Sequence, residues 1–278
     1  MDDTMNGNKG LLCPQVSNSA LTDNTTKFPL PQKNKEANNI SEHFVQFLQP
    51  YIAVNQALKE EVFKIRHNVY CEELAFEDMS ESGQETDEFD SRSIFTLIKH
   101  KPSETFTSCI RLVTSSISYE LLPIEKYCLS SITNKDLAPE KFDRSEIGEI
   151  SRLAVKSCFR RRKADDFQGA ATGTFSEMNY SETELRCFPF ISIGLYMAAA
   201  IMSMKNGIRH IYIMMDPKLA RSMKFIGIEF KKIGHQVNYH GLRVPYYIKP
   251  EDFTKNLSSE FKKLYKIIED NIDFQLKM

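Results

Sequence analysis

Three arginines stand where aliphatic side chains belong, and they constrain the fold more than any other feature of the chain. Arg66 falls within the apolar stripe Leu58, Val62, Ile65, Val69 and Tyr70 of QALKEEVFKIRHNVYCEELAF, Arg111 interrupts CIRLV, and Arg152 interrupts EISRLAV. A buried arginine must be paired, because its charge and five donors are costly to leave without acceptors. The fold therefore has to deliver carboxylates to three elements. Asp87 and Asp90 in ETDEFD and Glu149 in GEISRLAV are the acids available, so one cluster would join a helix, an acidic loop and two strands. Such a cluster serves equally as a buried network that fixes the fold or as a site for a charged substrate. ETDEFD also carries Glu85 and Glu88, but it lacks the glycine and distal glutamate of a calcium loop, so no metal site is expected.

The remaining pattern is that of a mixed sheet with helices on both faces, an α/β (α+β) domain. A flexible tail is expected over 1–38, where Asn, Thr, Ser, Lys and Pro dominate, and a domain over 39–278. An amphipathic turn at 41–48 and a strand at 51–54 precede a helix over 56–74. SIFTLIKH and TFTSCIRLVTS read as paired strands, a loop carries Pro123 and Pro139, and 147–155 is the next strand. A long loop follows to residue 187. Helices are expected over 190–206 and from Pro217 to Gly227, with a strand in IRHIYIMMD between them. HQVNYHG and RVPYYIK read as closing strands before a last amphipathic helix. The helix over 190–206 is rich in small residues.

Within 147–155, strict alternation sends Glu149 and Arg152 to opposite faces. A β-bulge between them would bring both to one site, and bulges concentrate beside active sites. The strand empties into Arg160, Arg161, Arg162 and Lys163. This cluster suits a phosphate, an acidic protein surface or solvent. A nucleic-acid role is not supported, because the chain carries a formal net charge of -1 and this single basic run. Six dispersed cysteines without a CxxC pair read as reduced thiols, and no segment has the apolar length of a membrane span, so a cytoplasmic protein is expected.

RHNVYCEELAFE, ETDEFD, CIRLV, GEISRLAV and CFRRR occur in the order and rough spacing of acyl-homoserine-lactone synthases and the related N-acyl amino acid synthases of the GNAT superfamily. MDPKLARSMKFIGIEFKKIG and YHGLRVPYYI resemble most the acyltransferases associated with PEP-CTERM/exosortase systems, a branch of that group. The resemblance implies a GNAT fold, a mostly antiparallel sheet splayed between its fourth and fifth strands. It implies transfer of a fatty acyl group from acyl carrier protein or acyl-CoA to the amine of an amino acid or similar acceptor. The acyl donor is a cosubstrate, and no cofactor is required. Arg66, Asp87, Asp90, Arg111 and Arg152 would form an ion cluster beside the acceptor pocket, walled by Tyr70 and Phe76. Glu149 would be the base, and backbone N–H groups near Leu153, Ala154 and Val155 would hold the oxyanion. Arg160, Arg161 and Arg162 would meet the phosphorylated arm of the donor. The chain has no tryptophan, and Phe76 stands where the lactone synthases usually carry one, which favours an amino acid over the lactone precursor. FQGAATG departs from the GNAT pyrophosphate loop, which favours the carrier protein over coenzyme A. An autoinducer synthase and a GNAT-like protein without catalysis are the alternatives.

Overall fold

The computed structural model describes residues 40–160 and 189–278. The expected tail, the loop leading to residue 187, and Arg161, Arg162 and Lys163 lie outside the described residues.

Strand β1 (Leu48–Ile52) follows helix α1 (Ile40–Phe47) and lies three residues earlier than its expected start. Helix α2 (Gln56–Arg66) is capped by Asn55, whose Oδ1 accepts from the Leu58 amide at 3.0 Å. Its expected continuation is present but changes pitch, becoming a π-helix over His67–Glu73. Strands β2 (Ser93–His100) and β3 (Thr105–Thr114) form the expected hairpin, and β4 spans Ile147–Val155. The stretch between β3 and β4 is more ordered than a loop. Pro123 starts helix α3 (Pro123–Cys128), and the Glu125 carboxylate accepts from the Leu122 amide at 2.7 Å, so a short helix is closed where proline content alone suggests irregularity.

Helix α4 (Phe190–Lys205) ends at Gly207, whose φ of 74° only glycine adopts cheaply. Strand β5 (His210–Met215) leads into helix α5 (Pro217–Phe225). Two-residue strands β6 (Lys231–Lys232) and β7 (Val237–Asn238) both pair with β8 (Leu242–Ile248), and helix α6 (Ser259–Leu276) closes the chain. The first closing strand is shorter than HQVNYHG suggests, because His240 and Gly241 turn with φ of 49° and 89°.

The sheet order is β1-β2-β3-β4-β5-β8-β6, with β7 also beside β8. All pairs are antiparallel except β4 and β5, whose parallel contact is confined to Ile147–His210, Gly148–Ile211 and Glu149–Tyr212. Beyond that rung the two strands diverge. Helices α1, α4 and α6 bury one face of the sheet with Phe44, Leu195, Leu264 and Ile268. Helix α2 covers β2–β4 on the other face with Val62, Ile65 and Val69, and α3 covers the β5–β8 half there through Ile124 and Cys128. No helix among the described residues is long and apolar enough to cross a membrane.

Candidate active site in the splayed sheet

The alternation of β4 breaks at its centre. Arg111 lies opposite Ser151 and Cys109 opposite Ala154, so Ile110 faces two residues, Arg152 and Leu153. Arg152 takes φ of 51°, the left-handed region that an arginine adopts only when its surroundings impose it. This bulge shifts the phase of the strand. Ser151 accepts from Arg111 Nε at 3.2 Å, and Arg152 reaches the carboxylates of the same face, whereas Ile150, Leu153 and Val155 join the core under α4. Glu149 and Arg152 therefore share a site that strict alternation denies them.

The cluster expected from three buried arginines exists, with a different set of acids. Arg66 is wholly buried; its Nε donates to Glu85, and Nη1 donates to Asp90 at 2.6 Å. Arg111 donates to Asp87 and, at 2.7 Å, to Asp90. Arg152 Nη2 donates to Glu77 at 2.8 Å and lies 3.2 Å from Glu85 and 3.4 Å from Asp87. Glu85 and Glu77, not Glu149, are the further carboxylates of the cluster. Despite burial, which raises it, the Asp87 pKa falls below the usual carboxylate range because Arg111, Arg152 and Arg66 surround it.

Glu149 stands apart from these ion pairs. Its Oε2 accepts from the Ile124 amide at 2.6 Å, and it is almost completely buried. Burial pushes its pKa up to about 8, opposed by the Ile124 N–H and by Arg111. A group in that range is a competent proton acceptor near neutrality.

Where β4 and β5 part, a cleft of about 130 Å³ opens. Its floor is Glu149 to Leu153 on one strand and Ile213 to Asp216 on the other. The polar end holds Asp87, Glu77, Arg111 and Arg152, and the apolar end holds Leu153, Tyr196, Met215 and Leu219. The π-helix aims Tyr70 into it: the hydroxyl donates to the Leu153 carbonyl at 2.7 Å, and the ring stacks on Phe76 with centroids 6.5 Å apart. Single-turn π segments are often found at functional sites, since they re-aim a side chain without ending the helix.

Two expected placements need correction. Arg160 is buried and paired with Glu73, because the short turn Ser157–Phe159 folds it back under the π-helix, and it offers no fork to a phosphate in the cleft. Ala154 and Val155 pair with Cys109 and Ser108 on β3 and do not line the cleft, which leaves Leu153 as the residue beside the gap. Arg161 and Arg162 lie outside the described residues. The alanines of α4, Ala198 to Ala200, are packed in the core, and the helix reaches the cleft through Tyr196.

Sequence reasoning missed the roof. The β7–β8 turn places Tyr239 on Tyr127, centroids 5.8 Å apart, and His240 on Phe76 at 5.3 Å. His240 Nε2 lies 3.7 Å from Glu77, and Arg243 follows on β8 as a further lining residue. The signal was present as a turn, Tyr239-His240-Gly241, but nothing local says that it spans the open end of the sheet.

Parallel pairing of β4 and β5 for three rungs, then a gap beside a bulged β4, decides the architecture. The fold is the GNAT fold. Residues 65–168, from the end of α2 through β4, match the family model of the acetyltransferase (GNAT) domain. Among solved structures, the GNAT-like chain is similar to TofI, solved in a ternary complex with an inhibitor and MTA, at 17% identity and a TM-score of 0.50, covering 73% of this chain and 91% of that one. It is similar to FeeM, an N-acyl amino acid synthase from uncultured soil microbes, at 13% identity and a TM-score of 0.50 over 76% and 94% of the two chains. It is also similar to MesI, a CoA-dependent acyl-homoserine lactone synthase, at 12% identity and a TM-score of 0.50 over 80% and 95%. No curated protein matches the chain. At these identities the likeness is one of fold.

Proposed function

We propose that the protein is an N-acyltransferase that moves a fatty acyl group from the thioester of an acyl carrier protein, or of coenzyme A, to the amine of an amino acid or similar small acceptor. The observation that carries this reading is the bulge that sets Glu149 and Arg152 in one cleft at the splay of a GNAT sheet. The amine nitrogen attacks the thioester carbonyl carbon while Glu149 takes its proton, directly or through water. The tetrahedral oxyanion is held by the backbone beside the bulge at Leu153, where fixed dipoles need no reorganisation. Collapse breaks the C–S bond, and the thiolate leaves to take up a proton. Arg66, Arg111 and Arg152 with Asp87, Asp90, Glu77 and Glu85 hold the acceptor end rigid, and Tyr70 and Phe76 wall it.

Direct attack is favoured over an acyl-cysteine route. Cys109 is fully buried, and burial pushes its thiol up to about 12, which leaves almost no thiolate. The departure from the pyrophosphate loop supports a carrier-protein donor, with Arg161 and Arg162 the docking candidates. The test is mass spectrometry of lipids from cells expressing the protein, with Glu149→Ala as control, followed by assays of purified protein with acyl carrier protein and acyl-CoA thioesters. New N-acylated amines that vanish in the control support the reading. A product pattern identical with and without Glu149 overturns it.

A further inference from the structure

Helix α5 turns one stripe of side chains outward. Lys218, Arg221 and Phe225 recur at spacings of three and four and share a face, while Ala220 and Met223 pack into the core and Leu219 lines the cleft. Phe225 is 92% exposed. A lone exposed apolar residue is ordinary; a phenyl ring this exposed on a helix face that also carries Lys218 and Arg221 is not. Residues 217–232 carry Lys218, Arg221, Lys224, Lys231 and Lys232 against Glu229, in a chain whose formal net charge is -1. The two segments adjoin through β8: Lys232 lies opposite Tyr246, and helix α5 packs against the same strand, with Asp216 at its N-terminus as a nearby acid.

We infer that this face is a docking surface for an anionic lipid bilayer. A bilayer satisfies both parts of the patch at once. Lipid phosphates meet the lysines and arginine, and the ring enters the boundary between headgroups and acyl chains, the two signals that a stable peripheral contact requires. An acidic protein accounts for the cations alone and needs a dedicated pocket for Phe225. The contact inferred is peripheral, one helix face and one sheet edge laid against the headgroups. Leu219 follows Lys218 and faces the cleft, so the docked face borders its apolar end. That an acylated product passes from cleft to bilayer rests on the acyltransferase reading; the docking itself does not.

The experiment is cosedimentation of the full chain with large unilamellar vesicles, of phosphatidylcholine alone or mixed with phosphatidylglycerol. Binding is expected with the anionic vesicles, with release at high salt. Lys218→Glu and Arg221→Glu should each weaken it by at least about fivefold, the equivalent of roughly 1 kcal/mol per basic residue at the surface. Phe225→Ala should weaken it about tenfold, in line with partial burial of a phenyl ring. Arg221 and Phe225 are exposed, so melting temperatures of their variants should be unchanged; Lys231→Glu with Lys232→Glu on the sheet edge replaces any variant, Lys218→Glu included, that is less stable. No binding overturns the inference, as does equal binding to phosphatidylcholine. Binding that follows Arg161→Glu and Arg162→Glu but not the α5 variants also overturns it. So does capture of an acidic acyl carrier protein by this face in the absence of vesicle binding.

Discussion

Glu149 is the base in the proposed reaction, and its surroundings give it a measurable signature. With a pKa raised to about 8, it is about one-tenth ionised at pH 7. The catalytic efficiency should therefore rise with pH through a midpoint near 8. Glu149→Gln should remove that limb and lower turnover by 100-fold or more, on the order of general-base catalysis, with donor binding retained. A full rate with an unchanged pH profile would remove Glu149 as base. The same group has a stability consequence of fixed sign. The folded state holds its proton more tightly than the unfolded chain, so its stabilising contribution is complete below about pH 4.5 and is lost as pH rises to about 8. Melting temperature should fall across that window in the parent more steeply than in Glu149→Gln. Asp87 acts oppositely, since its depressed pKa gives stability that is lost in acid. Among the ion pairs, Glu85→Ala leaves the buried Arg66 without its Nε acceptor, and a loss of about 3–5 kcal/mol in urea denaturation is expected.

At the scale of elements, the strands and most helices were legible because each carries its own period. β4 has the bounds expected, and the bulge within it could be inferred from the misplacement of Glu149 and Arg152. The acids were less legible. Glu85 was visible in ETDEFD, but which of four closely spaced carboxylates meets Arg66 depends on the path of a loop, and nothing local encodes that path. Glu77 and His240 are farther still, joined to Arg152 only by tertiary packing. Arg160 was expected at the donor phosphate because it opens a run of four cations, whereas a single turn buries it against Glu73. The segment between β3 and β4 also has a tertiary anchor: Ile132 bridges Gly234, and a Cβ at Gly234 would lie 1.9 Å from the Ser131 carbonyl oxygen. Gly234→Ala forces backbone apart and should cost at least about 3 kcal/mol in stability, beyond the usual range for overpacking of side chains. Because α3 carries the amide that holds Glu149, activity should fall further than folded fraction explains.

The molecule as a whole is two sheet halves that share one short seam. Its cleft is polar toward α2 and apolar toward α4 and α5, so the proposed reaction would take its amine on one side of the sheet and its acyl group on the other. Leu219 and Tyr196 wall the apolar side, and Leu219→Trp should shift the products toward shorter acyl chains at a similar stability, read directly by mass spectrometry. The seam itself ends at the rung Glu149–Tyr212, so the last residue clasped by both halves is the proposed base. An acyl arm lying in the gap would supply the rungs that the protein omits, acting as a keystone between two leaves of an arch. Ligand would then be felt as rigidity: slower amide hydrogen exchange at Gly148 and Ile211, and a single cooperative unfolding step where the empty protein opens leaf from leaf.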